Sequence, residues 1–487
     1  MPINVKQIRI DAIRRLYILI VSAAMVALNA FFALYVLDFY NREFRTQLYF
    51  RGHLFVMALY LGVFLYLGQV FGGILIGVRR IREIVLSFIF TSILGNFFLY
   101  IIAMLLSYKF PNPIPAVQVC IVQILFSTLW IYVTGKIYRR CFKPYDVLLI
   151  FSGGFLRDFE RKLATRNDQF HVISHLKLDP EKEISGGNSK ITEDSLNSGG
   201  SGIENNDLCL NPEDERVFRE IDRYDTVMLY DIPAEIRNRI FKYCYENSKR
   251  IYSIPMISDI IMNGSKTLHL FDTPLLLTEG NPLEYEERVF KRAMDIGLSL
   301  VLIVLTSPIM LLTAIAIKLY DGGPAIYSQI RCTRNQREFK IMKFRSMIVN
   351  AETEGVAKLA EKKDPRITPI GAFIRKCRID ELPQLFNVLK GDMSFVGPRP
   401  ERPEFIKKYV RDIPEFSYRM KVNAGITGYA QLYGKYNTSP YDKLKLDLYY
   451  MEQYSIWLDM KLMILTLKII FMPESTEGVS TTVSSED

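Results

Sequence analysis

The chain is poor in histidine, with four in 487 residues and none between residues 285 and 475. In that last third the acid, base or nucleophile must come from carboxylates, lysine, tyrosine or serine. Cys332 and Cys377 have no histidine nearby in sequence to activate them. The six cysteines (Cys120, Cys141, Cys209, Cys244, Cys332 and Cys377) show no paired spacing. That excludes a disulfide framework or a zinc site and reads as reduced thiols of a cytoplasm-facing protein. Also missing is the G-x-G-x-x-G spacing that brings a pyrophosphate against a helix N-terminus. The turn "SGGFLRDF" has Gly153 and Gly154 but not that pattern, so Tyr245 and Lys249, spaced as Y-x-x-x-K, read as chance. His171, His175 and His269 are scattered and read as structural. No cleavable signal peptide is expected, because the first apolar run is too long and lacks a cleavage site.

What is abundant is apolar sequence. Hydrophobic residues make up 49% and aromatics 13%, concentrated towards the N-terminus. With this much apolar sequence, the net charge of +9 points to an anionic membrane surface and not to nucleic acid. Four runs, about 16–37, 54–78, 84–107 and 115–135, are each near the ~20 residues that cross a bilayer as a helix. Lys6, Arg9, Arg14, Arg15, Arg79, Arg80, Arg82, Lys136, Arg139, Arg140 and Lys143 flank them on one side. Arg42, Arg45, Arg51 and Lys109 lie on the other. Eleven against four places the N-terminus and everything after residue 136 in the cytoplasm.

Residues 144–280 alternate strand-like runs, "DVLLIFSG" (146–153), "FHVISHLKL" (170–178), "DTVMLYDI" (225–232) and "RIYSIPMI" (250–257), with helix-like stretches such as 233–247. This rhythm predicts a doubly wound, Rossmann-like α/β domain over 141–282, a scaffold or regulatory module. A polar, glycine-rich insert at about 180–215 is expected to be disordered.

A fifth apolar run, 296–317, carries no charge and has Ser307-Pro308 at its centre. Proline removes a backbone donor, and a serine hydroxyl can satisfy freed backbone groups. Each arm is about ten residues, or ~15 Å of helix, enough to reach midway into the hydrocarbon. On these residues alone an ordinary kinked span and a helix that enters, bends and returns stand equal.

Beyond it the charged residues gather in short motifs: "FKIMKFRSM" (339–347), "FIRKCRIDELPQLFNVLKGDMSFVGPRP" (373–400), "AGITGYAQLYGK" (424–435) and "DLYYMEQYSIWLDMK" (447–461). Lys340, Lys343, Arg345, Arg375, Arg378 and Arg399 suit phosphate oxygens. The adjacent acids Asp380 and Glu381 suit a magnesium ion that takes its other ligands from phosphates, and a carboxylate can serve as nucleophile toward phosphorus. A solvated helix face would explain Lys376 with Asp380, but not the acid pair together with "GPRP" and the glycine turns at Gly391, Gly425 and Gly428.

From about Val289 to Phe471 these motifs, with "FKRAMDIGLS" and the central Ser-Pro, resemble the bacterial sugar transferase domain. Its members are monotopic polyprenyl-phosphate phosphoglycosyl transferases. The four spans and the α/β domain ahead of it resemble the larger members that start capsule, exopolysaccharide or O-antigen units. The resemblance implies transfer of a hexose-1-phosphate from a UDP-sugar to undecaprenyl phosphate, with UMP released. Asp380 would be the nucleophile that forms a covalent phosphosugar intermediate. Glu381 would assist Mg2+ or the second substrate. Lys343, Arg345, Arg375, Arg378, Arg399, Gln431, Asp447 and Asp459 would bind or order the substrate phosphates. Ala424 stands where the family usually has proline and Tyr429 where tryptophan is common; these departures bear on nucleotide or sugar recognition, not on the reaction class.

Cytoplasmic substrates favour re-entry of the fifth run, with a hairpin over about 290–320. The expected architecture is therefore a mixed membrane protein. A four-helix transmembrane bundle (1–140) leads to the Rossmann-like domain. A mostly helical catalytic domain (285–473) follows, with its re-entrant membrane hairpin facing the cytoplasm of a bacterial inner membrane, and then a disordered tail (474–487). The run "WLDMKLMILTLKIIF" (457–471) reads as an interfacial helix with Lys461 and Lys468 on one face. A homodimer is compatible with the larger members. The competing readings are a membrane-bound nucleotide-sugar dehydratase or epimerase, which needs the absent glycine fingerprint, and a non-enzymatic assembly adaptor.

Overall fold

The computed structural model describes residues 5–73, 77, 79–153, 156–179, 208–349, 364–434 and 438–470. It divides into two compact units, Met1–Ile254 and Pro255–Asp487.

The first unit begins with four long helices, α1 (Val5–Asn41), α2 (Phe50–Phe71), α3 (Ile81–Leu106) and α4 (Ile114–Cys141). They pack around an apolar core that includes Met25, Leu37, Phe64, Phe88 and Leu99, but their outer surface is apolar too and a few amides lie inside. Leu19, Phe31, Phe55, Leu125 and Phe126 face outwards, while Asn29, Asn96 and Gln123 are buried with Tyr60. Each of the four helices gives one residue to this inner polar layer. Asn96 donates to the Gln123 carbonyl at 2.7 Å, and the Gln123 amide donates to Asn29. In hydrocarbon a buried amide has no water to turn to, so the helices pair such groups with one another.

An α/β layer follows: β1 (Tyr145–Phe151), α5 (Leu156–Ala164), β2 (Phe170–Leu178), β3 (Leu208–Leu210), α6 (Arg216–Asp222), β4 (Thr226–Tyr230), α7 (Ala234–Glu246) and β5 (Arg250–Ser253). The strands are parallel and ordered β3-β2-β1-β4-β5. Residues 147–151 of the central strand are all buried, which is why that strand reads as an unbroken apolar run instead of an alternating one. Tyr145, the first residue of β1, is held between the guanidinium groups of Arg14 and Arg250, each 4.2 Å from its ring centre. Asp11 accepts from the Tyr145 hydroxyl at 3.0 Å and pairs with Arg250, tying α1 to the sheet.

Two expectations need correction here. The insert does not stay outside the fold as far as residue 215, because Leu208–Leu210 pair with Leu176–Leu178 as the edge strand. Three apolar residues at a sheet edge are too short a signal to stand out from polar surroundings. The rest of the insert, 180–207, lies outside the described residues, as do Gly154, Lys435 and the tail. In addition, residues 255–282 group with the second unit and not with the sheet. The sheet ends at Ser253. The following helix, α8 (Ile257–Asn263), leads to Gly264, where a Cβ would lie 2.6 Å from the Glu452 carboxylate.

The second unit continues with the hairpin β6 (Lys266–Leu270) and β7 (Thr273–Leu277) and then α9 (Tyr285–Asp321). α9 is one helix of 37 residues with Pro308 inside it. Pro308 cannot donate to the carbonyl of Val304, and the Ser307 hydroxyl takes that place at 2.8 Å. The Ser-Pro pair thus satisfies the carbonyl that proline leaves free, as the serine was expected to do. Burial on α9 falls at its two ends, Lys291, Asp295 and Ser299 and then Thr313 and Ile317, with none between. It is one of five helices among the described residues that are long and apolar enough to cross a membrane.

After it come the antiparallel pair β8 (Ile326–Cys332) and β9 (Glu338–Phe344), α10 (Pro369–Lys376), α11 (Gln384–Lys390) and β10 (Met393–Val396). Then follow α12 (Pro403–Asp412), β11 (Ala424–Thr427), α13 (Tyr429–Tyr433), α14 (Pro440–Glu452) and α15 (Ile456–Ile470). β10 and β11 pair in parallel. α15 carries the buried residues Asp459, Leu462, Leu465 and Lys468. One face of α15 is thus in the core and Lys468 is on it, so it does not share an exposed face with Lys461; Trp457, Met460 and Leu467 are exposed on the other side.

Candidate active site

The acid pair sits on a short 3-10 turn, Ile379–Glu381, between α10 and α11. Thr368 starts α10 by accepting from the Gly371 amide at 2.9 Å, and Pro369 fits the first helical position. The helix ends at Cys377. Arg378 then takes a left-handed conformation, φ 56°, unusual for a residue with a side chain. This sharp corner turns the acids away from the α10 axis. Pro383 begins the next helix, and Gly391 ends it at φ 93°.

The neighbouring cations come from β9, from the "GPRP" loop and from the corner itself. Lys343 projects from β9 and donates to Glu381 Oε1 at 3.1 Å. β9 is held in position by Asn387 of α11, which accepts from the Met342 amide and donates to the Lys340 carbonyl, both at 2.9 Å. Arg399 follows β10 in the "GPRP" loop and lies 3.6 Å from Glu381 Oε1 and 3.1 Å from Gln431 Oε1. That loop depends on glycine. A Cβ at Gly397 would stand 2.3 Å from the Asn423 carbonyl, and one at Gly425 2.1 Å from the Gly397 amide. Arg378 lies 3.7 Å from the other Glu381 oxygen.

The two acids are therefore unequal. Burial pushes Glu381 up, but Lys343, Arg399 and Arg378 outweigh it and hold its carboxyl down at about 2. Asp380 makes no side-chain hydrogen bond among the described residues. Burial, with the Glu381 charge beside it, pushes Asp380 up to about 6 against the pull of Lys343, Arg375 and Arg378. Burial lowers the Lys343 ammonium, and Glu381 restrains that shift. Arg375, at the end of α10, forms no hydrogen bond or ion pair among the described residues, yet its charge acts on Asp380. An open carboxylate, an unpaired guanidinium and a ring of cations around the neighbouring acid make a cradle for phosphate groups.

Three expected members lie elsewhere. Arg345 is buried and pairs with Asp321 at the end of α9. Asp447 is paired with Arg419 at 2.7 Å, both nearly fully buried. Asp459 is fully buried between Lys291 at 2.5 Å and the Tyr450 hydroxyl at 2.7 Å. None of the three is among the groups whose charges set Asp380 and Glu381. Their acidic and basic side chains signalled ionic pairing but not with whom.

The residues that hold the site together gave weaker signals. Arg292 of α9 donates to the carbonyls of Val388 and Leu389 at 2.6 and 2.7 Å, capping the C-terminal end of α11 with a cation. Asp295 accepts from the Ser394 hydroxyl and the Phe395 amide at 3.1 and 3.0 Å, fixing the start of β10. A lone acid at the lip of an apolar run was the available hint for Asp295. Arg419 stood outside every motif.

No group of three or more histidine, cysteine, aspartate or glutamate side chains is placed to hold a metal among the described residues. Asp380 and Glu381 fit a magnesium ion only in its usual manner, with one or two protein oxygens and the rest from phosphate and water. Of the two, Asp380 has the open carboxylate.

The family described as "Bacterial sugar transferase" matches residues 286–473. An uncharacterized sugar transferase of Haemophilus influenzae is 32% identical over 352 residues, 66% of this chain and 70% of that protein. The UDP-N-acetylgalactosamine-undecaprenyl-phosphate N-acetylgalactosaminephosphotransferase of Aeromonas hydrophila is 42% identical over 259 residues, 51% of this chain and 59% of that protein. The UDP-glucose:undecaprenyl-phosphate glucose-1-phosphate transferase of Escherichia coli is 36% identical over 245 residues, 47% of this chain and 51% of that protein. The chain belongs to the bacterial sugar transferase family. Its matches span 59% and 51% of the Aeromonas and Escherichia proteins' own length.

Proposed function

We propose that this protein is a phosphotransferase that moves a sugar-1-phosphate from a UDP-sugar to undecaprenyl phosphate, at the cytoplasmic face of a bacterial inner membrane. The observation that carries the reading is the division of labour in the acid pair. Glu381 gathers Lys343, Arg399 and Arg378, while the Asp380 carboxyl, pushed up by burial and by the Glu381 charge, makes no side-chain hydrogen bond among the described residues and is left to attack. The Asp380 carboxylate oxygen forms a bond to the sugar-bearing phosphorus. The bond from that phosphorus to the bridging oxygen breaks, and UMP leaves with the electron pair. An oxygen of undecaprenyl phosphate then attacks the same phosphorus and releases the Asp380 carboxylate, giving undecaprenyl-diphosphate-sugar. Arg375 and Arg399 offset the phosphate charge in both steps, and Lys343 holds Glu381 in place. Magnesium held by Asp380, with Glu381, would supply further charge neutralisation on the donor's phosphates.

Re-entry of α9 is part of the same reading, and the packing of its ends supports it. Lys291, Arg292 and Asp295 bond to α15, α11 and β10, while Ile317 packs with Phe344 and Ile374. Straight helix between residues 295 and 317 would be ~33 Å long, about the hydrocarbon thickness. One folded domain that grips both ends is readily accommodated on one side of the membrane if the helix returns. The lipid phosphate then meets Asp380 at headgroup depth. The relatives are named for N-acetylgalactosamine and for glucose, so the donor sugar is the variable to test.

The deciding experiment is UMP release by membrane-extracted protein with magnesium and undecaprenyl phosphate. UDP-glucose, UDP-galactose and their N-acetyl forms are tested separately. Lipid-dependent UMP from one donor is expected, with a sugar-phosphate adduct trapped on the native protein and not on Asp380→Asn. Full activity in Asp380→Asn, or neither UMP nor adduct from any donor, would overturn the reading.

A further inference from the structure

We propose that Arg419 is a positioning residue of this site, acting through the loop that presents Arg399; the inference rests on the transfer reading above. Arg419 is 4% exposed and lies in the turn Pro414–Lys421, ahead of β11. Its Nη2 donates to the Arg399 carbonyl at 3.2 Å and pairs at 2.7 Å with Asp447 of α14. Its Nη1 lies 3.7 Å from Glu401. One buried cation thus joins α14 to both the middle and the end of the "GPRP" loop.

The loop needs that tie. Its start is pinned to β11, where the Gly397 amide donates to Thr427 and the Gly425 amide to Pro398, both at 2.9 Å. Its end is pinned to β8, where Arg331 donates to Pro400 at 3.1 Å and the Cys332 amide to Glu401 at 3.0 Å. Between these anchors a small cleft, lined by Cys332, Thr333, Glu401, Met420 and Val422, lies against Arg399. Arg419 is what fixes the Arg399 backbone across that cleft. The Arg399 side chain can then reach Glu381 and Gln431 together. A residue this buried touches no soluble donor, so its effect passes through Arg399. Asp447 holds Arg419 in turn, which gives that acid a place in the site's support instead of on the substrate.

Arginine suits the task because its planar fork can serve a carbonyl and two carboxylates at once. A lysine ammonium would serve fewer of them. The test uses the full-length, membrane-extracted protein and two readouts. The first is a double-mutant cycle on kcat/KM for UMP release. Arg419→Gln is expected to lower kcat/KM by about tenfold to a hundredfold, the scale of a displaced catalytic group. Placed on Arg399→Ala, it is expected to lower kcat/KM by less than about twofold further, because its target is already gone. Arg419→Lys should recover part of the loss. The second readout is backbone hydrogen exchange, which needs no turnover. The amides of Gly397, Arg399 and Glu401, the residues of this stretch that carry an N–H, should exchange faster in Arg419→Gln, while those of β8 and β9 keep their native rates. Equal losses in both backgrounds, or unchanged exchange in the loop, would overturn the proposal. If Arg419→Gln does not fold, Asp447→Asn carries the same two measurements with the same expected directions. If native protein releases no UMP from any donor, the transfer reading fails, and hydrogen exchange still decides whether Arg419 holds the loop.

Discussion

Lys343 and Glu381 meet at 3.1 Å, and the lysine that pairs with Glu381 also lowers the pKa of Asp380 next to it. The two acids are one electrostatic system in which Glu381 pushes Asp380 up and Lys343 pulls it down.

That system sets a pH dependence with a definite sign. Asp380 must be ionised to attack, and its carboxyl lies at about 6, so activity falls as pH drops through that value. Removing the negative neighbour with Glu381→Gln should move the acid limb of the residual kcat/KM to lower pH. Removing the cation with Lys343→Met should move it to higher pH. Limbs that stay in place in both variants would show that Asp380 is not the group titrating.

Arg375 and Arg345 make a matched contrast. Both are arginines in basic motifs suited to phosphate, but Arg375 has no ion pair among the described residues and acts on Asp380 by its charge, while Arg345 is buried against Asp321. Arg375→Ala is expected to weaken donor use by about tenfold or more, with the melting temperature unchanged. Arg345→Ala should instead destabilise the fold by about 3 kcal/mol, because it leaves Asp321 without its partner. Thermal melts and kcat/KM on the two variants separate the roles.

This contrast also marks what the sequence could tell. The span lengths, the strand at 170–178 and the acid pair are local signals, and each lies where its pattern falls. Which cation meets which acid is not local. Lys343 reaches Glu381 from 38 residues away, and Arg399 meets Gln431 from 32. Arg345, Asp447 and Asp459 have the same residue types as the site but end in buried pairs, since composition carries no address. β3 was lost because three apolar residues in a polar insert are shorter than any periodicity. The unequal states of Asp380 and Glu381 follow from burial and from three cations converging on one of them, which only the folded chain supplies.

Asn387 tests the scaffold under Lys343. It is 1% exposed and serves two backbone groups of β9. Asn387→Ala takes away the side-chain partner of both groups, at a cost of roughly 1–3 kcal/mol. The melting temperature of the extracted protein should fall, and the acid limb of activity should shift upwards as Lys343 loosens from Glu381. A normal melt would mean that β9 is held by its pairing with β8 alone.

Two native thiols report the topology. Cys141 ends α4, and Cys377 follows α10 just ahead of the acid pair; both are exposed. Single-cysteine proteins retaining one or the other can be treated in intact cells with a membrane-impermeant thiol reagent. The basic flanks predict that Cys141 is labelled only after the cells are opened. Cys377 lies beyond α9, so it reads the path of that helix alone. A helix that crosses puts Cys377 outside, within reach of the reagent. A helix that returns at Ser307-Pro308 keeps it with Cys141. Protection of both thiols is expected. Labelling of Cys377 with Cys141 still protected would mean that α9 spans, and Asp380 would then face a compartment without UDP-sugar. Replacing Pro308 with leucine restores the Val304–308 hydrogen bond and removes the ring's clash with the preceding turn, which favours a straight helix. In that variant the Cys377 thiol should become partly accessible from outside, and UMP release should fall in proportion to the fraction of protein labelled.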